Sequence, residues 1–236
     1  MKKVLCLMLL LVSMTAMAQK RDVTKFLGIP VDGYKAEMKQ KLIAKGFTYD
    51  AKGDCFNGEF NGRDVNVYIA TYNNKVWRIM VCDANPCSET EIKIRFNNLC
   101  AQFAKNDQKY MPLNLGEIDY KIPEDEDISY EMTVHNKRYD ASYCQALDPE
   151  CIIDTLALQQ RFKTKLLQKY TQEELDNPTE KMQEEIQEVA QNESVYFAFE
   201  LLEKKLVWFM ISEDYGRYSI VMFYDNEYNH SDGEDL

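Results

Sequence analysis

The chain of 236 residues has few of the side chains on which catalysis and metal binding most often depend. It contains only two histidines, His135 and His230, and no G-x-S-x-G, glycine-rich phosphate loop or H-E-x-x-H motif. A cysteine nucleophile needs a histidine beside it in the fold, and two histidines in loop-like surroundings single out none of the cysteines. The sequence therefore specifies no catalytic residue, no cofactor site and no metal site.

Positive charge is also scarce. The 28 lysines and arginines stand against 39 acidic residues, which gives a net charge of −11. This sign of charge repels phosphate backbones and anionic lipid surfaces, so we expect no nucleic-acid partner. No apolar run after residue 18 reaches the roughly 20 residues of a membrane-spanning helix, so we expect no span in the mature chain.

The first 18 residues have the three parts of a secretory signal peptide. Lys2 and Lys3 carry the positive charge, an apolar run covers Val4–Val12, and Ala16-Met17-Ala18 forms a small-x-small cleavage site. We expect cleavage after Ala18 and a periplasmic or secreted mature chain. Removing two basic residues and no acidic one changes the net charge from −11 to −13. A membrane anchor is the less favoured alternative, because the apolar run is too short.

Six cysteines remain after the predicted cleavage, and export would place them where disulfides persist. Nearness in the sequence favours the pairs Cys82–Cys87 and Cys144–Cys151, which leaves Cys55–Cys100. Buried free thiols are an equal alternative, because the chain is large enough to fold without cross-links. Neither close pair has C-x-x-C spacing, so no redox or zinc chemistry is predicted.

The N-terminal half has the pattern of a helix, a three-stranded meander and a second helix. Alternating apolar and polar residues predict a sheet with one buried face, with strands over Cys55–Phe60, Asp64–Tyr72 and Lys75–Cys82. Asn61-Gly62 and Asn73-Asn74 supply the turns. The helices are expected over Gly33–Lys45, capped by Asp32 and ended by Gly46, and from a capping box at Ser88 to Lys105.

The C-terminal half mixes both element types. Helices are expected from Pro149 to Tyr170 and over Thr179–Gln191, and the polar tail His230–Leu236 is expected to fray. Strands are expected over Ile128–Val134, Arg138–Gln145, Ser194–Leu201, Lys205–Ile211 and Arg217–Tyr224. The first two would pair as a hairpin, and the last three are apolar on both faces, which favours cover on both sides.

Together these elements predict an α+β fold of antiparallel meanders packed with helices. Residues 19–110 and 111–236 are expected to form N-terminal and C-terminal α+β modules, or one compact domain. Val67–Ala70 before Val76-Trp77 is echoed by Val195–Ala198 before Val207-Trp208, so duplicated helix-plus-sheet modules are one alternative. The common preference of Val, Tyr and Trp for strands is the other explanation.

Three groups of residues carry weak indications of function. His230 among the acidic residues of the tail favours a solvated charged segment over a cation site. The run Glu124–Asp127 favours a solvated loop over a pair of catalytic carboxylates. Ordinary strand packing is the favoured role of the 15 tyrosines. An aromatic binding surface is most expected where five of them gather, at Tyr110, Tyr120, Tyr130, Tyr139 and Tyr143.

Several phrases resemble a family of uncharacterised exported proteins from Bacteroidales. They are Phe26–Gly33, Lys45–Phe47 and Gly58–Gly62 near the start, with Tyr224–Asn226 and Gly233–Leu236 at the end. The resemblance implies a cell-envelope setting in a diderm bacterium and assigns no activity and no site residue. The sequence favours an exported binding or interaction protein without catalysis, whose partner would be an envelope protein or a glycan. An exported hydrolase with unidentified carboxylate catalysts and a structural envelope component are the alternatives.

Overall fold

The structure is a computed structural model, and it describes residues 21–113, 119–149 and 155–230. The chain divides into two compact units. Of the described residues, the larger unit contains those within Val23–Leu147 and Val195–Leu236, and the smaller contains those within Met1–Asp22 and Asp148–Ser194. The predicted signal peptide, Cys151 and the end of the tail lie outside the described residues. Helices and antiparallel strands occur together, so the predicted α+β fold is confirmed.

An eight-stranded antiparallel sheet forms the larger unit. Its strand order is β3-β4-β5-β6-β10-β9-β8-β7, and a separate two-stranded sheet precedes it in the chain. The small sheet consists of β1 (Lys25–Phe26) and β2 (Ile29–Pro30). The large sheet consists of β3 (Thr48–Asp50), β4 (Cys55–Phe60), β5 (Arg63–Tyr72), β6 (Lys75–Asp83), β7 (Tyr110–Pro112), β8 (Asp140–Gln145), β9 (Leu206–Asp214) and β10 (Arg217–Asp225). The three strands predicted between residues 55 and 82 are confirmed.

Two helices, α1 (Lys35–Ala44) and α2 (Glu89–Lys105), cover one face of this sheet. In α1, Met38 and Leu42 are buried one turn apart, which is the spacing that directs side chains to one side of a helix. The predicted capping box is present at the start of α2: Ser88 Oγ accepts from the Glu91 N–H, and Glu91 Oε2 accepts from the Ser88 N–H. The buried residues of both helices and of this sheet face form one hydrophobic core.

Each helix and the four strands after it have the same arrangement. Helix α1 contacts β3, β5 and β6, whereas α2 contacts β7, β9 and β10, which are the first, third and fourth strands after each helix. The two sets meet where β6 pairs with β10 at the centre of the sheet. Strands from both sides of residue 110 therefore share one sheet. The echoed phrase does not follow this arrangement, because Trp77 lies in a fourth strand and Trp208 in a third.

Two predicted strands are helices. Ile128–Val134 forms α3, whose first turn is capped because the Asp127 carboxylate accepts a hydrogen bond from the Tyr130 N–H at 2.8 Å. Ser194–Leu201 belongs to the 24-residue α6 (Glu180–Glu203). No glycine or proline interrupts that helix, so it continues through residues that prefer strands in other settings. The predicted hairpin is also wrong, because β8 pairs with β7 and β9.

The start of α1 also differs from the prediction. Tyr34 is its N-terminal capping residue and supplies no side-chain hydrogen bond. Asp32 Oδ1 instead accepts from the Gly33 N–H at 2.7 Å and from Asn229 Nδ2 at 2.8 Å. Gly46 has a φ of 97° just after the helix, as predicted.

Three helices account for the described secondary structure of the smaller unit: α4 (Thr155–Leu167), α5 (Gln172–Asp176) and the first part of α6. Glu193 of α6 is buried and accepts from Arg161 Nε at 2.8 Å, and Lys165 Nζ lies 3.6 Å from its other oxygen. Glu185 accepts from Lys169 and Tyr170. These contacts tie α6 to α4 and to the turn after it.

The predicted disulfides are not formed among the described cysteines, which are free thiols. Cys55 and Cys82 lie on the sheet face opposite α1 and α2, since each alternates with a core residue, whereas Cys87 and Cys100 belong to the core. The sheet thus separates both predicted pairs. Cys144 is also a free thiol, and its predicted partner Cys151 is outside the described residues.

Candidate functional site

The most distinctive surface is the sheet face opposite α1 and α2, here called the second face. When one face of a sheet is exposed to water, the alternation of residues along each strand usually places polar side chains on that face. Here its centre is apolar and aromatic. A row of paired residues crosses five neighbouring strands, and a second row runs beside it with Cys82, Val221 and Met210. The first row consists of Tyr68, Met80, Phe223, Trp208 and Ser142.

Aromatic stacking fixes the middle of the first row. The Trp208 and Phe223 rings lie 4.0 Å apart between centroids with an interplanar angle of 18°. Phe223 is buried, while Trp208, Met80 and Met210 are half-buried. The chain therefore keeps large apolar side chains partly accessible at the centre of its sheet, which is the composition of the core of a protein-binding surface.

An ion pair between the two central strands adjoins these rings. Asp225 of β10 accepts from Arg78 of β6 through two hydrogen bonds of 2.6 and 2.7 Å, and from the Trp208 indole N–H at 2.9 Å. The Asp225 side chain is 1% exposed and that of Arg78 is 24% exposed. The buried carboxylate is thus neutralised by a paired guanidinium, as a buried charge requires.

The Arg78 guanidinium is also enclosed by aromatic rings. Its central carbon lies 4.2 Å from the Trp77 ring centroid and 4.7 Å from that of Phe223. Trp77 reaches this position through a β-bulge: the β5–β6 register shifts between Ala70 and Thr71, which leaves Trp77 as the extra residue. Both tryptophans of the chain, Trp77 and Trp208, therefore belong to this cluster.

His230 lies at the edge of the same cluster. Its ring is 4.6 Å from the Trp77 ring, and its Nδ1 is 3.8 Å from Glu227 Oε2. The sequence placed this residue in a solvated tail, and its side chain is indeed 45% exposed, but its neighbour is an aromatic ring. His135 instead contacts Glu131, with its Nδ1 2.9 Å from Oε2, and the ring of Tyr130.

The tyrosines of the middle stretch do not form the expected aromatic surface. Tyr139 and Tyr143 are buried in the core, and Tyr110 and Tyr120 pack against it. Burial raises the pKa of Tyr143 well above its ordinary value. Only Tyr130 of the five is exposed, at 52%. The aromatic surface instead lies on the second face. The sequence feature that indicated it is the segment around Trp208, which is apolar on both faces of its strand.

The acidic run at Glu124–Asp127 is more ordered than the predicted solvated loop. Lys93 of α2 donates to the backbone oxygens of Glu124 and Glu126, each at 2.9 Å. The Glu126 carboxylate accepts from Lys137 and Tyr139. Desolvation opposes ionisation of Glu126, but these two hydrogen bonds outweigh it and lower the pKa of the carboxyl.

Three deeply buried carboxylates are each engaged by an arginine: Asp225 by Arg78, Glu193 by Arg161, and Asp83 by Arg95 with Nε at 2.6 Å from Oδ2. Asp83 borders a shallow polar depression at the end of β6, together with Glu59 and Asp64. In the part of the chain that the structure describes, no cluster of metal-ligating side chains occurs.

The thiols of half-buried Cys82 and of buried Cys100 and Cys144 are unsuited to nucleophilic attack. Burial raises the pKa values of the three thiols to about 11 at Cys82, Cys100 and Cys144. At neutral pH these groups stay protonated, whereas the reactive form of cysteine is the thiolate. Cys100 and Cys144 are thus small apolar groups within the packing.

Comparison with protein-family models, with curated proteins and with solved structures found no match for this chain in any of the three. The helices within residues 21–113, 119–149 and 155–230 include none with the length and apolarity to cross a bilayer.

Proposed function

We propose that the chain is an exported, non-catalytic binding protein that contacts a partner protein through the second face. The observation that carries the proposal is the accessible apolar centre of that face, built from Trp77, Trp208, Met80 and Met210. Tryptophan and methionine are enriched where proteins meet, and tryptophan contributes much of the binding energy at such surfaces. Export is supported by the three-part pattern of residues 1–18 and by the Bacteroidales resemblance.

The polar groups of the face favour a protein partner over a glycan. A sugar is recognised by rings together with free hydrogen-bonding groups. Here Arg78 and Asp225 bind each other, and the Trp208 indole N–H is already donated to Asp225. The half-buried residues at the centre of the face, Trp208, Met80 and Met210, present ring and thioether surface, which suits apolar side chains.

Retention of a partner on immobilised chain would test the binding function. Residues 19–236 and the variant Met80→Gln/Met210→Gln would be exposed to the same periplasmic extract. These changes keep side-chain length but make the face polar. Ile94→Gln is the matched control, because Ile94 is an apolar residue of α2 that is 57% exposed and lies outside the second face.

We expect wild-type chain and the Ile94 variant to retain the same protein, and the double variant to lose it while keeping its melting temperature within a few degrees. The purified partner should then shift the tryptophan emission of the wild-type chain, because both tryptophans lie in the cluster. Equal retention by all three chains would refute a role for the second face. Cytosolic chain that still begins with Met1 would refute export.

A further inference from the structure

The turn that joins β9 to β10 is unusual for its sequence. Tyr215 and Gly216 form a two-residue connection, with φ angles of 48° and 73°. Positive φ at both positions is the type I′ geometry that suits the twist of a hairpin. Glycine accepts this geometry freely, whereas a tyrosine with a Cβ atom does not.

Two other hairpins of the larger unit make the same turn with the expected residues. Asn61-Gly62 has φ angles of 51° and 72°, and Asn73-Asn74 has 46° and 61°. Asparagine is the residue other than glycine that tolerates left-handed backbone best. The β1–β2 hairpin makes it with Leu27-Gly28, at φ angles of 50° and 78°, and Leu27 is only 39% exposed. At position 215 the chain therefore carries a fully exposed residue that costs stability where two of its other turns use asparagine.

The Tyr215 side chain gains nothing from its own fold that would offset this cost. It is 97% exposed, whereas the other exposed large apolar residues range from 36% to 63%. The turn that holds it is nevertheless well supported. The Gly216 N–H donates to Glu213 Oε1 at 2.6 Å, and Arg217 at the base donates to the Pro86 oxygen at 2.6 Å.

We propose that Tyr215 is an anchor that inserts into an apolar pocket of a partner protein, with basic groups of that protein facing Glu213 and Asp214. A strained residue that persists without internal contacts indicates a function outside the fold. An aromatic ring on a rigid support loses little freedom on binding and is a typical anchor. The proposal rests on the proposed protein-binding function, although not on the second face.

The test uses a photoreactive phenylalanine at position 215 of the full chain, expressed in the bacterium that encodes it. The matched control carries the same group at Tyr72, which also flanks a hairpin turn and is 45% exposed. A third chain carries it at Met210 on the second face. A protein captured from position 215 would be identified, purified and tested for binding to wild type, Tyr215→Phe and Tyr215→Asn.

We expect capture from position 215 and none from position 72. Tyr215→Asn should weaken binding at least roughly 30-fold, the effect of losing an aromatic anchor, while Tyr215→Phe stays within a few-fold of wild type. The same Tyr215→Asn change should raise the melting temperature by about 2–4 °C, because it relieves the backbone. A purely structural residue would not give opposite effects on binding and stability.

The outcomes separate the two proposals. Capture from position 210 without capture from position 215 overturns the anchor and leaves the second face in place. Equal affinity of wild type and Tyr215→Asn for the purified partner overturns the anchor even if capture occurs. A lower melting temperature for Tyr215→Asn also overturns it, since the ring would then stabilise the fold. No capture from either position counts against both proposals.

Discussion

Removing the Asp225 carboxylate should destabilise the protein strongly, because it would leave the Arg78 charge and the Trp208 indole N–H without their partner. Breaking a buried ion pair from one side costs about 3–5 kcal/mol. We expect about 3 kcal/mol for Asp225→Ala, the lower limit, because Arg78 is 24% exposed and water can solvate part of its charge. For a chain of this size, that is a fall in melting temperature of roughly 10 °C.

Urea unfolding followed by tryptophan emission is the appropriate assay, since both tryptophans contact the Arg78 guanidinium. The combined change Arg78→Met/Asp225→Leu removes both charges and should recover stability to within about 1–2 kcal/mol of wild type. Lys35→Met is the control, because it breaks an ion pair with Asp54 on the exposed surface and should change stability little. A double variant no more stable than Asp225→Ala would refute the reasoning.

Three further predictions concern packing, titration and thiol reactivity. Gly58→Ala should cost about 1–3 kcal/mol in urea unfolding, because a Cβ there would lie 2.5 Å from Cδ1 of the buried Phe47 ring. Glu126 contributes stability that is present above its unfolded pKa and is lost as pH falls through its lower folded pKa. The urea midpoint of Glu126→Gln should therefore approach that of wild type as the pH falls below about 4.5. Cys100 should react slowly with a thiol reagent at pH 8 in the native protein and rapidly in urea, because burial raises its pKa to about 11.

Each of these has a clear contrary result. An unchanged urea midpoint for Gly58→Ala would mean that the Phe47 ring moves aside. A constant difference between Glu126→Gln and wild type at every pH would exclude the carboxylate charge as the cause. Rapid native labelling at Cys100 would show that α2 opens from the sheet.

The sequence predicted best those elements whose signals are local. The meander of β4, β5 and β6 has clean alternation and turn residues at both corners, and α2 carries a complete capping box. The prediction of secondary structure failed where a helical segment carries residues that also favour strands. Val195–Ala198 contains residues that favour strands, but it continues a helix that had already formed, and propagation adds a hydrogen bond for each residue fixed.

The disulfide predictions failed for a different reason. Nearness along the chain says nothing about which side of a sheet a side chain occupies, and the sheet separates Cys82 from Cys87 although only four residues lie between them. The candidate site was also hidden, because its residues come from strands far apart in the chain. Arg78 and Asp225 are 147 residues apart and become neighbours only when β6 pairs with β10.

The pairing of β6 with β10 has a consequence for the order of events during biogenesis. Until the last strand arrives, β6 presents a bare row of N–H and C=O groups, which is a template for association with the wrong chain. Contacts this distant along the chain close slowly. Under the export that we propose, the chain would complete its fold only after residue 225 has emerged, and we would then expect it to require chaperone protection for nearly the whole passage.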